Sequence, residues 1–189
     1  RCPRCHLPPP PFTDARAPAP AQAHRGSDSG VGSRRAATLP VGGAGAASVL
    51  GVHQLKLLDF PDQGLDRFSL VDIISLLEEI VETVRPDVVY LQYGYDINRD
   101  HQILFQAALV ATRPMKQFIQ AIFAFDTVSS TEWAYPRSFV PDTWVDISAT
   151  LERKIEAMAC YETELRDWPH PRSLHSLRVK AESAGSQVV

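Results

Sequence analysis

The densest chemistry in the chain lies in one hexapeptide, Asp96-Ile-Asn-Arg-Asp-His101. It offers two carboxylates, an amide and an imidazole. Such a set suits metal ligation or proton transfer, since imidazole is the commonest metal ligand and a nearby carboxylate fixes its tautomer. The same residues have a purely structural reading. Asn98 is a good helix N-cap, Asp100 an acid in a favourable first turn, and His101 then an ordinary exposed histidine. Spacing alone favours that second reading. Other candidates are scattered. Trp133, Tyr135 and Trp144 offer either a platform for a sugar ring or half-buried packing, and packing is the commoner role. Arg172, next to Pro171, can reach a site through a loop. Asp59 and Asp62 end an apolar run. Glu152, Arg153, Lys154 and Glu156 read as a solvated helix face. Cys160 reads as a small buried hydrophobe.

Cys2-Pro-Arg-Cys-His6 is a C-x-x-C-H string, the pattern of c-type haem attachment or of half a zinc site. Haem would also need a distal ligand and a packed pocket. Zinc would need a second ligand pair, and no other C-x-x-C occurs. The string therefore reads as incidental.

The elements that must position these residues follow from apolar spacing. Leu55–Phe60 is a short apolar run stopped by Pro61-Asp-Gln-Gly64, read as a buried strand and a loop. Leu70, Ile73, Ile74, Leu77, Ile80, Val81 and Val84 mark one face of a helix, with Ser69 as its N-cap and Pro86 beyond its end. Asp87–Tyr93 is apolar at consecutive positions, as strands buried on both faces are, which suggests a parallel sheet. A helix over residues 99–112 follows, then a strand over 120–125. A fourth strand is expected at 143–147, a helix from Ser148 to about Leu165, and a last helix at 172–184. The alternation predicts an α/β fold. In such folds ligands bind outside the C-terminal ends of the strands, which is where the Asp96–His101 loop falls.

Composition divides the chain of 189 residues into two parts. Residues 1–47 carry six Arg, no Lys and two acids, and eight of the 15 Pro lie within the first 40 residues. So little apolar area is available there that the stretch is expected to be disordered. It also reads as GC-rich coding DNA translated out of frame, since Arg, Pro, Ala and Gly are the residues of GC-rich codons. Residues 48–189 are expected to form the folded domain. The net charge of -3 argues against nucleic-acid binding. No apolar stretch approaches the roughly 20 residues of a membrane span, and no signal-peptide core opens the chain. With Cys160 alone in the folded part, a reducing, cytoplasmic setting is expected.

The run Leu57-Leu-Asp-Phe-Pro-Asp62, then Arg85-Pro-Asp-Val-Val89, then Asp96-Ile-Asn-Arg-Asp-His101 resembles the PIG-L/LmbE family. Val145-Asp-Ile-Ser148, Lys154, Tyr161 and His170-Pro-Arg-Ser173 extend the likeness, which runs from about Ala46 to Gly185. The resemblance implies a Rossmann-like three-layer fold with a mostly parallel sheet. It also implies zinc-dependent hydrolysis of the acetyl group from an N-acetylglucosamine-containing small molecule. In that family, zinc is held by two residues of an early A-H-P-D-D-E motif and by the His of a later x-x-D-H motif. Carried over, His101 is the third zinc ligand and Asp100 its acidic neighbour in the catalytic machinery. Asn98 stands where some members place a His that stabilises the oxyanion. Asp96 and Arg172 are then expected to meet the substrate.

No H-x-x-D-D string occurs in this chain. Two metal ligands and the general base of the family pattern are therefore absent, and so is the expected first strand. The resulting expectation is a partial deacetylase domain, inactive as written. The alternative is a non-catalytic remnant or pseudoenzyme that serves as a binding module.

Overall fold

The computed structural model describes residues 38–188. The C-x-x-C-H string and most of the expected leader lie outside them. The described chain opens on helix α1, Thr38–Leu50, which starts ten residues ahead of the expected domain boundary and runs across it. Helix α1 packs against α4, Leu151–Ala159. Gly42 permits the approach, since a Cβ there would sit 3.1 Å from the Cys160 carbonyl oxygen.

Helix α2, Leu70–Val84, forms where the apolar period predicts it. The Ser69 hydroxyl accepts from the Asp72 amide at 3.2 Å, and Arg85 closes the helix in the left-handed region at φ 49°. Strand β1, Val88–Gln92, and strand β2, Ala121–Phe125, pair in parallel, with Val88 opposite Ala121 and Gln92 opposite Phe125. Helix α3, Arg99–Ala111, connects them and packs on α2. The core between these helices is Leu65, Ile73, Ile103 and Ala107, with Phe60 and Leu77 against it. Helix α5, Leu174–Ser186, packs on α4 and is capped by the Ser173 hydroxyl. The α/β class and the parallel pairing are as the sequence indicates.

Two expected strands do not form. Leu55–Phe60 and Thr143–Ile147 are irregular, with Leu57 56% and Val145 69% exposed. Among the described residues the sheet is β1 and β2 alone. A strand needs a neighbour to complete its ladder, and an apolar run without one has no reason to pleat. Helix α4 is also shorter than its apolar spacing suggests. It stops at Ala159, and residues 160–164 continue as turns. No helix among the described residues is long and apolar enough to cross a membrane.

Candidate functional site

Strand β1 ends at Gln92, and the chain turns through residues 93–98 into α3. The turn leaves the C-terminal end of a parallel strand, the usual position of a ligand site in such sheets. Gly94 is buried because the Phe105 ring of α3 lies on it. A Cβ at 94 would sit 2.5 Å from Phe105 Cγ. The start of α3 is then fixed by Asn98, whose side-chain oxygen accepts from the Asp100 amide at 2.9 Å and the His101 amide at 3.3 Å.

The four candidates of the hexapeptide divide into two pairs. Asp96 is 1% exposed, and its Oδ2 lies 2.6 Å from His101 Nδ1. Its Oδ1 accepts from the Asn98 amide at 2.8 Å. The His101 side chain keeps 27% of its surface in solvent. Asn98 and Asp100, by contrast, are engaged with backbone. Asp100 accepts from the Leu65 amide at 3.1 Å and the Gly64 amide at 3.2 Å, and so pins the short 3-10 turn Leu65–Arg67 to α3. The carboxylate beside His101 is thus Asp96, expected to meet substrate. Asp100, expected in the catalytic machinery, holds a turn.

The remaining candidates make no hydrogen bond to the Asp96–His101 pair. The Arg172 guanidinium pairs with Glu164, and its backbone amide donates to His170 Nδ1 at 3.1 Å. Trp133 meets the His170 ring edge-on at 5.8 Å between centroids. Asp146 accepts from the Ser148 hydroxyl at 2.6 Å and the Ser148 amide at 2.9 Å, bonds that hold its carboxyl below the ordinary aspartate range. Tyr135 is 94% exposed.

Several residues of the site carry no signal in a single-residue reading. Gln92 Nε2 donates to the His101 carbonyl at 3.1 Å, and Gln102 Nε2 donates to the Asp96 carbonyl at 2.7 Å. An open depression of about 400 Å³ borders this network, lined by Tyr95, Asp96, Gln102, Gln106, Tyr135 and Arg137 among others. The Arg137 guanidinium stacks 4.4 Å over the Tyr95 ring and closes one side. Gln102 and Gln106 are one helical turn apart on α3, a spacing that does mark a shared polar face in the sequence.

A hydrolytic zinc typically takes three protein ligands and leaves a position for water. Among the described residues no group of three or more His, Cys, Asp and Glu side chains is gathered for a metal ion. Asp96 bonds His101 and an amide, and Asp100 bonds two amides. The described residues do not fit a hydrolytic zinc.

Residues 21–112 match the PIG-L family, described as GlcNAc-PI de-N-acetylase. The match begins upstream of Ala46 and takes in the whole β1–α3 loop. The uncharacterized deacetylase YaiS of Escherichia coli strain K12 is 34% identical over 107 residues. That alignment takes in 54% of this chain and 52% of YaiS, so the chain spans about half the length of this relative. The crystal structure of the conserved protein TT1542 from Thermus thermophilus superposes with a TM-score of 0.65 at 19% identity. It covers 84% of this chain and 70% of that one, a likeness of fold.

Proposed function

We propose that the chain, which matches the PIG-L family over residues 21–112, carries the later part of a deacetylase site, with His101 as its metal donor. The observation that carries the reading is the buried Asp96 held 2.6 Å from the partly exposed His101, at the C-terminal end of β1. The deacetylase relative supports the reaction type. The substrate we propose is a small N-acetylated amino-sugar conjugate, entering by the depression beside Tyr95, Gln102 and Arg137. Its polar amides and aromatic faces suit a sugar.

Hydrolysis of an acetamide needs a water made nucleophilic and a carboxylate to take its proton as attack begins. Among the described residues His101 alone does not assemble that set, and both carboxylates of the hexapeptide already accept hydrogen bonds. We therefore read the chain as written as inactive. Asn98 and Asp100 then contribute by fixing where α3 begins, and so where His101 stands. A second reading follows from the same depression: a module that binds the sugar and does not cleave it.

Purified from metal-limited buffer, the full chain is expected to hold well below one zinc per molecule by elemental analysis. It is expected to release no amine above background from N-acetylglucosamine conjugates. Stoichiometric zinc, or turnover by the chain as it stands, would sink this reading. Binding of the sugar without turnover would favour the second one.

A further inference from the structure

We propose that Asp96 is a positioning residue that fixes His101 as the Nδ1–H tautomer and leaves the Nε2 lone pair as the group His101 offers. The inference deepens the reading of His101 as a donor, but its test uses neither metal nor turnover. An ionised carboxylate only accepts hydrogen bonds. A separation of 2.6 Å between Asp96 Oδ2 and His101 Nδ1 therefore puts a proton on Nδ1.

The surroundings prevent the pair from relaxing apart. Asp96 is buried, and its other oxygen is tied to the Asn98 amide. Gln102 holds the Asp96 carbonyl from one side, and Gln92 holds the His101 carbonyl from the other. The Asn98 side chain holds the His101 amide. Both backbones are thus anchored independently of the side-chain contact, and the carboxylate is left to set the ring. A merely structural Asp96 would shape the loop through its bond to the Asn98 amide, and that role makes no demand on the imidazole.

Asp96→Asn separates the two roles. The amide keeps an oxygen for the Asn98 N–H but presents an NH₂ group to Nδ1. An amide donor there needs a lone pair on Nδ1, so the ring proton must move to Nε2. The test is long-range ¹H–¹⁵N correlation on the histidine-labelled full chain at about pH 9, where an ordinary imidazole is neutral. The His101 signals are assigned by their loss in His101→Gln. Nδ1–H in the parent chain and in Asp96→Glu, with Nε2–H in Asp96→Asn, is the expected result. An Nε2–H tautomer in the parent chain overturns the proposal even if the variants fail to fold. An unchanged tautomer in a folded Asp96→Asn also overturns it. If the tautomer switches as expected in a chain that holds stoichiometric zinc or turns over substrate as it stands, the positioning role stands and the proposed function fails alone.

Discussion

Supplied in frame with an H-x-x-D-D segment ahead of Leu55, the chain is expected to gain zinc-dependent deacetylation. In that restored protein His101→Ala is expected to lose it by at least about 10³-fold in kcat. That is roughly 4 kcal/mol of transition-state stabilisation, since each 1.36 kcal/mol is tenfold. The size follows from coordination. With one ligand gone, two protein groups remain to hold an ion that hydrolytic sites typically hold with three, and bound water is no longer brought to a pKa near 7. Cys2→Ser and Cys5→Ser are expected to leave the rate unchanged, because nothing in their spacing completes a ligand set. Initial rates with and without a chelator make the measurement. Equal turnover with Ala at 101 would remove His101 from the site.

Gly94→Ala is expected to destabilise the fold by about 1–3 kcal/mol, the usual range for adding a methyl group to a filled core position. A Cβ at 94 falls 2.5 Å from Phe105 Cγ, far inside van der Waals contact, so the ring or the strand end must shift. Either shift moves Tyr95 and Asp96, which follow directly in the chain. The stability loss should therefore come with an altered depression beside Asp96. Urea unfolding of Gly94→Ala, Phe105→Ala and the double variant checks the cause. If the overlap is the reason, Phe105→Ala should cost less in the Gly94→Ala background than in the parent. Simple additivity would show that the two positions do not collide.

Much of the frame around the site is legible in the sequence. Ser69 and Asn98 both cap helices, and the apolar periods of α2 and α3 mark their inward faces. Consecutive apolar residues mark β1 and β2. The failed strands mark the limit of that method. Leu55–Phe60 has strand composition, but strand formation depends on a partner elsewhere in the chain, and an apolar run does not name one. The site is legible as a location and less so as an arrangement. Asp96 and Asp100 are indistinguishable by type. Only the course of the loop decides that Asp96 folds back on His101 while Asp100 reaches the amides of Gly64 and Leu65. Gly94 reads as a linker glycine, because its contact with Phe105 spans eleven positions and no local pattern encodes it.

The parallel pairing of β1 with β2 also bears on how the chain assembles. Every rung of that ladder joins segments separated by the whole of α3, from Val88 with Ala121 to Gln92 with Phe125. Closing that loop costs entropy before the first rung forms. Helices α2 and α3 instead begin from local contacts, each with its own side-chain cap, and dock as preformed apolar faces. The helix pair around Ile73 and Ile103 is therefore the expected folding nucleus, with the sheet added late. Stopped-flow refolding would show this as Ile103→Ala slowing folding while Leu91→Ala mainly speeds unfolding, and the reverse pattern would refute it. On that order of events the Asp96–His101 loop, strung between the late strand and the early helix, is among the last segments to find its place.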